Sequence, residues 1–308
     1  MTKSIVFTEY GSPDVLHIGE TEVPEPGPGQ VRIAVRAAAV NPLDHKIRAG
    51  YMEQVFPTEF PHVPGFEGAG VIEALGEGIT GFTLGDPVFG PTTTGTYAAL
   101  ALADAAKLTL KPDTLSWEQA AALPVAAETS YRSLELLGVH PGETLLVHAA
   151  AGGVGQLAVQ LAVARGLKVI GTASEPNHEF LRSLGAVPVL YGDGLVDRVR
   201  AVAPDGVDAA LDLSGQSDAI AASVELTGGK DRVLTVVNPV AAAEYGVRFS
   251  SGGDGDYLGI EAVKEALALQ SAGKLTVHIH RAFPLTEAAA AHRESEGGHL
   301  TGKIVLTA

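Results

Sequence analysis

The chain has 308 residues, 46% of them apolar, which is enough for two domains and a sizeable core. Its 21 Lys and Arg against 36 Asp and Glu leave a net charge of -15, which argues against nucleic acid or an anionic membrane surface as a primary partner. With no cysteine, disulfides, thiolate metal sites, iron–sulfur clusters and cysteine nucleophiles are excluded as well. The opening MTKSIVFTEYGSPDV brings acids before any apolar run of signal-peptide length, so the expected location is the cytoplasm.

Eight of the 18 prolines fall within residues 1–64. There the run Val31-Arg32-Ile33-Ala34-Val35-Arg36 sets Val31, Ile33 and Val35 on one strand face and both arginines on the other, as in a half-buried antiparallel sheet. Turn signals at Gly11-Ser12-Pro13, 24–29, Gly76-Glu77-Gly78 and Gly85-Asp86-Pro87 punctuate about the first 110 residues, which predicts a mostly β domain without a long helix.

From Ser116 the texture changes. Residues 117–123 and 129–137 read as helices, and an alternation follows: apolar runs at 144–148, 168–172, 187–190, 207–213 and 232–237, with helical stretches at 154–165, 178–184, 195–202 and 218–226 between them. Near-continuously apolar strands spaced by helices predict a parallel sheet covered on both faces, a doubly wound α/β domain. The uncharged stretch 144–164 is long enough to span a bilayer, but Gly152, Gly153 and Gly155 divide it into a strand, a turn and a helix. Beyond Phe249, a helix over 260–270 and strands over 274–280 and 303–307 suggest a return to the first domain. The expected boundaries are 1–122, 123–255 and 256–308.

The segment from Leu145 to Ala158 carries the chemistry. A buried strand runs into the small-residue turn Ala150-Ala151-Gly152-Gly153-Val154-Gly155 and straight into a helix, the order a pyrophosphate needs. Backbone N–H groups and the helix dipole favour the anion, while glycines permit close approach. Against G-x-G-x-x-G, alanine replaces the first glycine at position 150. At the tip of the next strand a carboxylate would select NAD; Ala173 and Ser174 stand there instead, which favours NADP(H), although Glu175 follows. His178 is the nearest candidate cation for a 2′-phosphate, or else a helix-start residue with no ligand.

Together with that loop, the motifs Asn41-Pro42-Leu43-Asp44, Pro64-Gly65-Phe66-Glu67-Gly68-Ala69-Gly70, Gly85-Asp86-Pro87-Val88, Leu123-Pro124 with Thr129, and Gly298-His299-Leu300-Thr301-Gly302-Lys303-Ile304-Val305-Leu306 carry a resemblance along nearly the whole chain. It resembles the zinc-independent medium-chain dehydrogenases/reductases, in particular the zeta-crystallin-like quinone oxidoreductases. The resemblance implies a Rossmann domain with a GroES-like, mostly β domain built from both chain ends. It also implies a homodimer paired through the edges of the Rossmann sheets. Zinc alcohol dehydrogenases of the superfamily carry cysteine where Asn41 stands and histidine where Phe66 stands, so no metal is expected. His45, His62, His278 and His280 form no recognised ligand motif.

The implied reaction is hydride transfer from NADPH to a small quinone or α,β-unsaturated carbonyl, acceptors electrophilic enough to need no Lewis acid. The expected catalytic set is Asn41, Asp44 and Tyr51. The expected cofactor set is Asn41, Thr129, Ala150, Gly152, Gly153, Val154, Gly155, Ser174, His178, Val237, Phe249 and Lys303. By resemblance Asn41 lies beside nicotinamide and acceptor, with Thr129 and the chain around Phe249 near the cofactor. By resemblance Lys303 would reach the cofactor phosphates, or else pair with surface acids. Asp44 reads as the holder of a neighbouring proton donor or as a solvated turn residue. Tyr51 reads as an acceptor contact or a rim aromatic, and Glu67 as structural. Enoyl-thioester reductases of the wider group place a tyrosine where Asp44 stands, which leaves enoyl reduction an alternative, as is a non-catalytic NADPH-binding sensor or structural role.

Overall fold

The alternating segment around Ile33 forms the longest strand of the first unit, Gln30–Val40, and its apolar face, Val31, Ile33 and Val35, is buried as the spacing predicts. A computed structural model describes residues 1–252 and 258–308. In it the chain divides into two units, Met1–Val125 with His278–Ala308, and Ala126–Val277. The expected junction at 255/256 lies outside the described residues.

In the first unit the seven-stranded sheet runs Ile279–Pro284, Lys303–Thr307, Gln30–Val40, Glu67–Leu75, Pro87–Pro91 and Thr109–Leu110, with Leu100–Asp104 also paired to Gln30–Val40. The C-terminal strand is therefore internal, antiparallel to Gln30–Val40, with Ile304 opposite Val40. Ile33, Ile72, Val88, Tyr97, Phe283 and Leu306 share one core.

The second unit carries a six-stranded parallel sheet in the order Val187–Leu190, Lys168–Ala173, Thr144–His148, Ala209–Asp212, Val233–Thr235, Arg248–Phe249. This is a doubly wound order, and its switch point lies beside the central strand Thr144–His148, which leads into the glycine turn. Leu146, Ile170, Val189, Ala210, Ile220 and Val233 pack in one cluster. Among the described residues no helix is long and apolar enough to cross a membrane.

Two elements depart from the sequence reading. The helix expected over 129–137 begins at Pro124, because Glu67 Oε2 accepts the Val125 N–H at 2.7 Å and so caps the helix start. The strand expected over 274–280 is instead Ile279–Pro284. Leu275 and Val277 are buried, which explains the strand-like pattern, but the Thr276 backbone is paired by a side chain. Its N–H donates to Gln160 Oε1 at 2.8 Å and its carbonyl accepts Gln160 Nε2 at 3.0 Å.

Candidate functional site

In the first unit the strand Gln30–Val40 delivers the chain to Asn41, the N-cap of a short helix, Pro42–Arg48. The Asn41 N–H donates to Asp44 Oδ2 at 2.7 Å, while the Asn41 amide faces two buried charges. Its Nδ2 donates to Glu67 Oε1 at 3.0 Å, and its Oδ1 accepts Lys303 Nζ at 2.5 Å. Lys303 Nζ also reaches Glu67 Oε1 at 2.9 Å, with its side chain 4% exposed. Three strands thus bring Asn41, Glu67 and Lys303 into one closed cluster that fixes which way the asparagine amide faces.

Lys303, expected at the cofactor phosphates or on surface acids, is instead taken up by the buried Asn41 and Glu67. A lysine buried beside a fully buried carboxylate has its partner already. Asp44 is no solvated turn residue: it is buried, and besides the Asn41 N–H it accepts the Tyr97 hydroxyl at 3.1 Å. Burial pushes its carboxyl up to about 7, against the Asn41 N–H, Tyr97 and Lys303, with Glu67 adding to the rise. Tyr51 lies in the turn after the helix, 81% exposed, and takes no part in the Asn41 cluster.

In the second unit the central strand ends at His148, and Ala149 turns the chain with φ 52°. Ala150 N–H donates to Thr172 O, Gly152 N–H to Ala149 O, and Ser130 Oγ to Val154 O, so the turn is held from both sides. The helix Gly155–Ala164 follows. A Cβ at Gly155 would lie 2.4 Å from Ala149 O and 2.7 Å from Ala150 Cα, whereas one at Gly152 would meet only Ala149 O, at 3.3 Å. Gly155 serves helix–strand packing, and Gly152 leaves its face of the turn open. The alanine at 150 is accommodated by Gly171 on the neighbouring strand, where a Cβ would come within 2.8 Å of the Ala150 methyl. The N–H groups of Gly153, Val154 and Gly155 head the helix, the arrangement that receives an anion.

Ser174 follows the strand Lys168–Ala173 and accepts Asn177 Nδ2 at 3.3 Å, and the His178 ring stands 3.4 Å from Ala173 O. Both therefore sit at the strand tip, as does Tyr191, which the sequence reading missed. The register sets Leu190 opposite Ala173, so the half-exposed Tyr191 comes next to Ser174.

At the ends of the following strands a buried network appears that no motif announced. Asp212 accepts the Ser214 N–H (2.9 Å), the Gly215 N–H (3.1 Å) and the Thr235 hydroxyl (2.7 Å). The Thr235 oxygen in turn accepts the Val237 N–H at 3.2 Å, and Asn238 Nδ2 donates to Gly215 O at 2.8 Å. One carboxylate thereby ties together the two turns that present Gly215 and Val237. Thr129 lies on the helix Pro124–Leu137, next to Glu128, which holds Arg132 at 2.7 Å, and Arg132 pairs with Ser250. Phe249 ends the outer strand, partly exposed.

His148 ends the strand that leads into the glycine turn and is buried. Ser223 Oγ spends its proton on Ala219 O at 2.9 Å, so at His148 Nε2, 2.9 Å away, the ring must donate. Thr172 then donates to Nδ1 at 3.2 Å, and the ring is neutral. Burial pushes it down to about 4, against the pull of Asp212 and Asp218. The folded value lies below that of a free imidazole, so the associated stability is complete above about pH 6.5 and is lost as pH falls toward 4, by about 3 kcal/mol. The urea midpoint measured from pH 7 to 4 should fall across this window, and more shallowly in His148→Gln; a midpoint independent of pH would refute the assignment.

Two family models match the chain: an alcohol dehydrogenase GroES-like domain over residues 27–113 and a zinc-binding dehydrogenase over 184–306. A quinone oxidoreductase of Pseudomonas aeruginosa is 33% identical over 99% of this chain and 99% of its own. The 2-methylene-furan-3-one reductase of Solanum lycopersicum is 35% identical over 99% of this chain and 78% of its own. The structure of Escherichia coli quinone oxidoreductase complexed with NADPH superposes with a TM-score of 0.86 at 26% identity, covering 99% of this chain and 100% of that one. Zinc does not fit the residues present: Phe66 carries no donor, the Asn41 amide is engaged, and no group of three His, Asp or Glu among the described residues could hold a metal.

Proposed function

Since the chain belongs to the zinc-independent quinone oxidoreductase family of medium-chain dehydrogenases/reductases, we propose that it reduces a quinone or an α,β-unsaturated carbonyl with NADPH. The observation that carries the reading is the turn 149–155 at the switch point of the parallel sheet, closed on the strand side at Gly155 and open at Gly152. A dinucleotide fits this turn: Gly152 to Gly155 would hold the pyrophosphate, and Ser174, His178 and Tyr191 the adenosine phosphate. Gly215 and Val237, fixed through Asp212, support a nicotinamide, together with Thr129 and Phe249. When bound, the reduced nicotinamide supplies the hydride.

The protein's own contribution is orientation. Within the first unit Asn41 has its amide locked by Glu67 and Lys303, so a group that it contacts meets a fixed donor and acceptor face at little cost in reorganisation. Tyr51 and the neighbouring exposed Val55, Phe56 and Phe60 offer apolar cover to an acceptor. The outer strand Arg248–Phe249, both residues exposed, supports a homodimer paired at this edge.

Loss of reduced-nicotinamide absorbance with an ortho-quinone and a simple enone tests the reading. Both acceptors should be reduced, with NADPH preferred over NADH by at least about tenfold, because Ser174 offers a donor rather than a carboxylate to the 2′-phosphate. Equal use of NADH would remove the Ser174 argument. NADPH binding seen by fluorescence without turnover would replace the enzyme with a cofactor-binding protein.

A further inference from the structure

In the second unit the edge strand Val187–Leu190 passes into the helix Leu195–Val202 through a turn that one side chain holds together. Side chains on a helix tilt toward its N-terminus, so Arg198, one turn in, folds back over the residues that precede the helix. Its Nε donates to Leu190 O at 2.9 Å, its Nη1 to Asp193 O at 2.7 Å, and its Nη2 to both Tyr191 O and Gly192 O at 3.1 Å. Four successive carbonyls therefore converge on one guanidinium. Such a curl needs backbone that glycine supplies, and Gly192 and Gly194 take φ of 84° and 76°. A Cβ at Gly194 would come within 3.1 Å of Arg198 Nη1, so the turn is shaped around the arginine.

The residue held in this way stands at the strand tip already described. Leu190 lies opposite Ala173 on the neighbouring parallel strand, so the next residues, Tyr191 and Ser174, leave the sheet side by side. Ser174 Oγ accepts Asn177 Nδ2, which leaves its own proton to give, and Tyr191 is half-exposed. Because a trans peptide is planar, holding the carbonyls of Leu190 and Tyr191 fixes both peptide planes that flank the Tyr191 Cα, and with them the direction of its side chain. Resting on the reductase reading, we propose that Arg198 is a positioning residue for NADPH selectivity: its grip on the turn fixes Tyr191 next to Ser174, and the 2′-phosphate is the group that these two hydroxyls receive.

The charge of Arg198 acts in the same direction. Arg182 pairs with Glu179 and Arg200 with Glu225, whereas Arg198 has no carboxylate partner among the described residues and spends its donors on carbonyls alone. It therefore brings to this turn a cation that no acid neutralises by contact, against Glu175, which follows Ser174 and disfavours a phosphate. Positioning is the larger part, because a donor already held in place loses little freedom when the phosphate arrives.

Fluorescence titration with NADPH and with NADH tests this role without turnover. Arg198→Gln should weaken NADPH about tenfold and leave NADH within about twofold, since only NADPH carries the 2′-phosphate. Leu195 and Val199, the buried residues of the helix, are untouched, so Tm should stay within about 2 °C of wild type. Arg198→Lys keeps the charge, but one ammonium with three donors cannot span four carbonyls, so NADPH should still weaken about fivefold or more. Tyr191→Ala should reproduce the selective loss, and combining it with Arg198→Gln should add less than about twofold, because the arginine acts through the tyrosine. NADPH affinity unchanged in Arg198→Lys, equal loss of NADPH and NADH, or full additivity in the double variant would overturn the role of Arg198. A wild type that binds both dinucleotides equally would overturn it too, leaving the reductase intact. Selective NADPH binding with reduction of neither quinone nor enone would fail the reductase reading and leave Arg198 in its role.

Discussion

Replacement of Lys303 by Met is expected to lower stability by about 3–5 kcal/mol, a fall of roughly 10 °C in Tm, and to reduce turnover about a hundredfold. Glu67 is fully buried, and Lys303 is the cation that reaches it, at 2.9 Å. Methionine fills the space but leaves the carboxylate uncompensated, and the cost of an unpaired buried charge exceeds the modest net value of the intact pair. The effect on turnover arises separately. The 2.5 Å contact from Lys303 to Asn41 Oδ1 defines which end of the amide faces Glu67; without it the amide can turn. The double variant Lys303→Met with Glu67→Gln distinguishes the two effects. With no charge left buried, most of the lost stability should return, while turnover stays low because Asn41 has lost its orienting donor. A single Lys303→Met variant melting within about 2 °C of wild type would show that the cluster is not held by this pair.

That cluster also marks where sequence reading stops. The parallel sheet was legible because each buried strand is a local apolar run and each connection a local helix, and the glycine turn because strand, turn and helix are contiguous. A return of the C-terminus was expected from residue 256, whereas the first unit resumes at His278 and the helix Gly259–Ser271 stays with the second. The partners of Lys303 were not legible: they lie 262 and 236 residues away, and only the register that sets Ile304 opposite Val40 brings them together. The hydrogen bond between Tyr97 and His292, 195 residues apart, is equally invisible to any local pattern. Asp212 could have been singled out as an acid closing an apolar strand, but its task depends on Thr235 in the neighbouring strand. The misplaced strand over 274–280 has the opposite cause. Leu275 and Val277 alternate correctly, yet one glutamine side chain takes the backbone bonds that a sheet would need.

The paired variants Gly155→Ala and Gly152→Ala should separate packing from ligand approach in the same turn. At Gly155 the new methyl would lie 2.4 Å from Ala149 O and 2.7 Å from Ala150 C, and both are backbone atoms that cannot swing aside. The helix must move off the strand, at a cost of about 1–3 kcal/mol and with its leading N–H groups displaced. NADPH affinity should then fall at least about tenfold, together with Tm, because an anion held by oriented backbone donors is sensitive to their position. At Gly152 the methyl meets only Ala149 O, at 3.3 Å, a contact that a shift of a few tenths of an ångström relieves, so stability should stay within about 0.5 kcal/mol of wild type. Its open side is the side assigned to the pyrophosphate, so Gly152→Ala should still weaken NADPH binding in a fluorescence titration. Unchanged affinity in a Gly152→Ala protein of normal Tm would mean that the phosphates do not approach the turn at this glycine. Loss of affinity without loss of stability would place the ligand against Gly152, because the folded protein alone leaves room there for a methyl group.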